Sequence, residues 1–164
     1  MNYKNIFNFL GIYSVLVSIF AVLNIFYSVY FNFNLGINSY LITFSISLIL
    51  GIFFIYIGYR EGKNISPIEQ ILLILLSFIY IPILISIPYF LSIYNISFLD
   101  SYFEAVSGIT TTGFSVIQNL NNVDEPLILW RSSSQWIGGL LFILATIGTI
   151  GSKQIKIKPA YLIS

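Results

Sequence analysis

Cysteine and histidine are both missing from this 164-residue chain. Without cysteine there are no disulfides, no thiol catalysis and no thiolate metal sites. Without histidine, and with only six acidic residues, a hydrolytic triad or a zinc site has almost nothing to be built from. The expectation is a non-enzyme with no covalently bound cofactor. Charge is scarce too: 8% of residues are charged, against about a quarter in a soluble domain. With 57% hydrophobic residues, the composition is that of an integral membrane protein whose first partner is the lipid bilayer. A formal net charge of +1 gives no reason to expect nucleic-acid binding.

What is present is a set of long apolar runs. Four are long enough to span a bilayer: residues 6–30, 40–59, 68–91 and 126–150. The first is far longer than the apolar core of a signal peptide, so a retained helix is expected. Its Asn24 and Ser28, one turn apart, are candidates for an interhelical hydrogen bond. The second is bracketed by Tyr40 and Tyr59, as in an interfacial aromatic belt. Ser66 with Glu69 forms a capping box, and Pro67 suits the first position of the third helix. Pro82 and Pro88 predict a kink or early unwinding in its far half. Asp124 and Glu125 suit the dipole at the start of the fourth.

Lys4, Arg60, Lys63 and the tail lysines Lys153, Lys156 and Lys158 fall on one side of a four-crossing scheme. The positive-inside rule then places both termini in the cytoplasm. The chain divides into two leading transmembrane helices (1–64), a helix–loop–helix unit (65–152) and a basic cytoplasmic tail (153–164).

Between the third and fourth runs, residues 97–106 read as a short helix, capped by Ser97 with Asp100 and ended by Gly108 in a left-handed conformation. Ten residues span only ~15 Å, half the hydrocarbon thickness. Ser107-Gly108-Ile109-Thr110-Thr111-Thr112-Gly113-Phe114 follows. Irregular backbone is tolerable at membrane depth only where it lines a watery path, so this is the pattern of a re-entrant pore loop. The predicted fold is an all-α membrane protein with four transmembrane helices, one re-entrant pore helix and a filter loop.

Arg131 stands out a turn and a half into the fourth helix, where a charge is expensive unless paired or hydrated. Glu104 on the short helix is its candidate partner; snorkelling to the outer interface is the alternative. Gln135 shares the face of Arg131, and Gly138 and Gly139 read either as a hinge or as a smooth packing surface.

The stretch Ser101-Tyr102-Phe103-Glu104-Ala105-Val106-Ser107-Gly108, followed by Thr110-Thr111-Thr112-Gly113, resembles the first pore loop of the Trk/Ktr/HKT potassium-transporter superfamily. Its closest resemblance is to the TrkH branch. Trp130-Arg131-Ser132 with Gln135-Trp136-Ile137-Gly138-Gly139 resembles the start of that family's first inner helix. The resemblance implies potassium uptake across a prokaryotic plasma (inner) membrane, with K⁺ as the transported ion. K⁺ must be stripped of water, and the backbone carbonyls of Thr110, Thr111 and Thr112 are the expected replacement shell. Gly113 matches the single filter glycine of each repeat and permits the backbone that aims those carbonyls. Glu104, Gly108, Arg131 and Gln135 are the expected supports of the filter.

Family members arrange four such repeats around one pore, and this chain carries one. The resemblance therefore implies a companion polypeptide with further repeats. The alternatives are a channel-like homotetramer or a non-conducting subunit that regulates a full-length relative. The family's usual cytosolic partner is a nucleotide-binding gating ring.

Overall fold

The computed structural model describes residues 3–33, 36–59, 67–92, 94–117 and 123–151. Five helices follow in order: α1 (Tyr3–Tyr30), α2 (Ile37–Gly58), α3 (Pro67–Phe90), α4 (Phe98–Ile109) and α5 (Glu125–Gly151). No strand occurs among the described residues. By length and composition α1, α2 and α3 are each apolar enough to cross a membrane. The protein is an all-α, multi-pass membrane protein. The Ser66 cap, the basic 60–66 loop, residues 118–122 and the lysine tail lie outside the described residues.

Helices α1 and α2 form the most extensive pairing. The α1 face is buried at Leu10, Ser14, Val17, Ser18, Ala21, Asn24 and Ser28, a recurrence every three or four residues. On α2 the buried stripe is Ser39, Thr43, Ser47 and Gly51. Small side chains let the backbones approach: a Cβ on Gly11 would sit 2.8 Å from the Gly51 carbonyl oxygen. Buried hydroxyls along this seam, Ser28 excepted, donate to their own helix, as Thr43 does to Ser39 O (2.8 Å) and Ser14 to Leu10 O (2.9 Å). Their polarity is thereby satisfied without water.

Two expectations for this pair are corrected. Asn24 does not reach another helix; its Nδ2 donates to Phe20 O at 3.1 Å. Asn24 Oδ1 and Ser28 Oγ make no hydrogen bond among the described residues. A polar link from α1 to α3 is made instead by Ser14 Oγ with Tyr80 Oη, at 2.9 Å. Tyr40 is no belt residue either. It is 1% exposed and packs on Trp130 of α5, ring centroids 5.8 Å apart, whereas Tyr59 is exposed.

Helix α3 runs through Pro82 and Pro88 to Phe90, so the expected early unwinding does not occur. Proline removes one ladder bond and disturbs the carbonyls a turn before it. The carbonyls that lose their ladder donor are those of Phe78 and Leu84, and in each case a neighbouring helix donates to the next carbonyl along. Tyr102 Oη of α4 donates to Ile79 O at 3.3 Å, and Trp130 Nε1 of α5 donates to Ile85 O at 2.9 Å. Each accepting carbonyl lies three residues before a proline, and each donor comes from an element of the candidate site. The prolines thus present α3 as a docking wall for α4 and α5.

Candidate functional site: a helix-capped loop with free carbonyls

The site begins with α4, twelve residues and ~18 Å long. Ser97 is its N-cap: Ser97 Oγ accepts from the Asp100 backbone N–H at 3.2 Å and donates to Asp100 Oδ2 at 2.7 Å. The helix does not stop at Gly108, and Gly108 is not left-handed. It continues to Ile109, with Thr110 as C-cap. Gly108 is required for a different reason. A Cβ there would fall on Ser134 Oγ of α5. Gly138, one turn beyond Ser134, reciprocates: its Cβ would fall on the carbonyl of Ile109. The two helices lock through these two glycines.

The left-handed residue is Thr111, with φ 56°. Its N–H donates to Gly108 O and that of Thr112 to Ser107 O, at 2.9 and 3.1 Å. This pair of bonds is a Schellman cap, in which the left-handed place usually belongs to glycine. Thr110 N–H donates to Val106 O and Gly113 N–H leans on Ser107 O. Four consecutive N–H groups therefore point back into the helix end. In a trans peptide the preceding carbonyl points the opposite way, so the carbonyls of Ile109, Thr110, Thr111 and Thr112 face away from it. Ile109 O is covered by α5 at Gly138. Among the described residues, no hydrogen bond reaches the carbonyls of Thr110, Thr111 or Thr112, and all three residues are exposed.

Behind the loop the arrangement is the reverse. Glu104 is fully buried and pairs with Arg131, the partner expected for it. Its Oε2 takes Arg131 Nη1; its Oε1 accepts from Ser115 Oγ and the Val116 N–H, both at 2.6 Å, with the Ile117 N–H at 3.4 Å. Arg131 Nη2 donates to the carbonyls of Gly113 (2.8 Å) and Phe114 (3.1 Å). Ser107 Oγ also donates to Phe114 O, at 2.6 Å. Gly113 sits at φ 79° with no other atom within 4 Å of where a Cβ would be. Its glycine serves backbone conformation and not space.

The start of α5 is pinned from outside. Tyr94 Oη donates to Asp124 Oδ1 at 2.9 Å and accepts from the Asp124 N–H at 2.8 Å. Burial, and the Asp124 carboxylate beside it, raise the Tyr94 phenol above its usual range. Tyr27 of α1 donates to Glu125 Oε2 at 2.8 Å, tying the leading helices to the same turn.

Gln135 and Gly139 stand apart from this assembly. With Ser132, Trp136, Leu140 and Ile143 they line an open groove on the far face of α5, where Trp136 is 77% exposed. Among the described residues no group of three or more Asp or Glu side chains could hold a metal ion. Among the described residues the loop offers free backbone carbonyls, which suit a dehydrated alkali cation.

The chain is 30% identical to an uncharacterized cation transporter of Methanocaldococcus jannaschii over 96% of this chain and 35% of that relative. It is 31% identical to the Trk system potassium uptake protein TrkI of Halomonas elongata, over 57% of this chain and 19% of that protein. It is 30% identical to TrkG, a Trk system potassium uptake protein of Escherichia coli, over 68% of this chain and 23% of that protein. The chain is a TrkH-like member of the Trk family. It spans about a third or less of the length of these relatives. No family model and no solved structure matches it.

Several participants in this site of the TrkH-like chain were not singled out from sequence. Ser107 and Ser115 are ordinary letters inside or beside the loop motif. Ser134 was concealed in the run Ser132-Ser133-Ser134, although its place one turn before Gly138 marks the packed face. The carbonyls of Gly113 and Phe114 carry no sequence signal at all.

Proposed function

We propose that this chain supplies one helix–pore loop–helix unit, with two leading helices, to a TrkH-like pathway for K⁺ uptake. The observation that carries the reading is the set of three threonine carbonyls turned away from the α4 end and left without partners. A cation held there exchanges hydration oxygens for fixed backbone oxygens. The C-terminal end of α4 carries partial negative charge and favours a cation below it. The names of the relatives, potassium uptake proteins and a cation transporter, support the same ion class.

In this reading α5 is the fourth crossing, the loop opens to the outside of a prokaryotic plasma membrane, and both termini are cytoplasmic. Residues 1–64 are the leading pair, 65–152 the repeat and 153–164 a basic tail. A cytosolic nucleotide-binding ring is a candidate gating partner. One loop encloses no pore, and unsatisfied carbonyls in a lipid environment are costly. The remaining walls come from polypeptide beyond these residues, and the open groove on α5 is the face left for it.

Two experiments test this. Single cysteines at Asn34, Asn64 and Asn121 of the cysteine-free chain are probed with impermeant thiol reagent on intact cells; labelling is expected at Asn34 and Asn121. Labelling at Asn64 alone overturns the orientation. The chain purified alone in nanodiscs is expected to be a monomer without K⁺ flux. A tetramer with K⁺-selective flux overturns the need for further polypeptide.

A further inference from the structure

Gly36, the N-cap of α2, has a use that neither of the usual reasons for glycine explains. Its φ is −97°, a negative value open to other residues. A Cβ there would sit 3.5 Å from Tyr40 Cε2 and 3.6 Å from Asp124 Oδ2, which are ordinary contact distances. What the glycine leaves is a cavity of about 10 Å³, bordered by α2, the end of α3 and the start of α5. That volume holds one water molecule and nothing larger.

The polar residues of its wall present a one-sided set of groups. Asp124 Oδ1 is taken by Tyr94 Oη, while Oδ2 makes no hydrogen bond among the described residues. Ser39 Oγ donates to Gly36 O at 2.7 Å and Ser92 Oγ to Tyr89 O at 2.6 Å. Both serines have thus spent their protons and have only lone pairs to offer. Tyr40 is the donor. It is 1% exposed, and among the described residues its hydroxyl has no hydrogen-bond partner, which a buried phenol needs.

We propose that this cavity is the binding site of one structural water, which accepts from Tyr40 Oη and donates to Asp124 Oδ2 and to a serine hydroxyl of the wall. About three hydrogen bonds are the usual complement of a buried water. A dehydrated ion fits less well, because Pro88 and Leu127 close the wall with apolar surface and leave too few oxygens to replace a hydration shell. The water joins the leading helices to the residue that starts α5, about two turns before Arg131. It acts as a strut between the two parts of the chain, and the inference is independent of the pore-loop reading.

The test compares the full chain in nanodiscs with Gly36→Ala, Tyr40→Phe and the double variant by thermal unfolding. The methyl of Gly36→Ala takes the place of the water at ordinary contact distances, so a dry gap would simply be filled. Its melting midpoint is expected to fall by about 2–4 °C, the scale of one lost hydrogen bond in a chain of this size. Tyr40→Phe is expected to fall by a similar amount, and the double variant no further than Gly36→Ala alone. A neutral or stabilised Gly36→Ala, or additive losses in the double variant, overturns the water. Wild type and Gly36→Ala are also expected to respond alike to KCl, NaCl and choline chloride at equal ionic strength. A rise with one alkali salt that Gly36→Ala abolishes means that an ion occupies the cavity, and overturns the assignment. In a crystal structure that shows ordered water, one molecule is expected within hydrogen-bond distance of Tyr40 Oη and Asp124 Oδ2; a direct bond between those two atoms sinks the proposal.

Discussion

The front and the back of the loop after α4 are built from adjacent residues on opposite principles. At the back, Glu104 and Arg131 fill nearly every polar valence: four donors reach one carboxylate, and one guanidinium spans that carboxylate and two carbonyls. At the front, three carbonyls have no partner among the described residues. Free oxygens are worth nothing to an ion if they can turn away or collapse onto one another. The saturated back prevents that, because moving the loop means breaking bonds to a buried charge. Preorganisation at the front is thus supplied by satisfaction behind it.

The comparison breaks most severely if the back is emptied. Glu104 is fully buried and Arg131 nearly so. Removing one partner of a buried pair typically costs about 3–5 kcal/mol. Glu104→Gln and Arg131→Gln should each lower stability by that order in thermal unfolding, and the double variant should lose less than the sum. Strict additivity would mean that the two charges do not interact.

The interlock of α4 with α5 comes next. Gly138→Ala places a methyl onto the Ile109 carbonyl, and Gly108→Ala places one onto Ser134 Oγ. Overpacking of this kind costs about 1–3 kcal/mol. Gly139 is the built-in control, with no atom within 4 Å of its Cβ position. Gly139→Ala should be neutral or slightly stabilising in the isolated chain. If Gly138 and Gly139 respond alike, the glycine pair acts as a hinge and not as a packing surface. A further control is Gly113, whose space is open but whose φ is 79°. A left-handed backbone costs an L-residue roughly 1–2 kcal/mol. Gly113→Val should therefore weaken cation uptake more than Gly113→Asn, since asparagine tolerates that backbone.

How much of this was legible in the letters follows the same divide. Long apolar runs and caps placed all five helices, because burial and end-capping leave side-chain signatures. The Glu104–Arg131 pair was legible because charge is so rare in this chain that each one demands a partner. The left-handed residue was misplaced at Gly108, because glycine has two uses and only the packing of α5 reveals which applies. Once Ser134 occupies the space beside Gly108, the helix continues and the strain moves to Thr111. Tyr40 was misread as interfacial because sequence does not show Trp130 waiting opposite it. Of the kink or early unwinding expected at the prolines, the unwinding does not occur, and the contacts that hold α3 there come from α4 and α5, distant in the chain.

That last correction carries the smallest effect and the most specific test. Tyr102 Oη donates to Ile79 O at 3.3 Å, near the surface, so Tyr102→Phe should cost no more than about 0.5–1.5 kcal/mol. If the bond exists because Pro82 loosens the carbonyls a turn before it, the two residues must be coupled. In a Pro82→Ala background the new N–H bonds Phe78 O and the ring no longer crowds that turn, so the neighbouring Ile79 carbonyl is no longer tilted out toward the tyrosine hydroxyl. Tyr102→Phe should then cost close to nothing, while the single change retains its cost. A tyrosine hydroxyl worth the same in both backgrounds would mean that α4 docks on α3 by packing alone, and that the prolines play no part in holding the back of the loop.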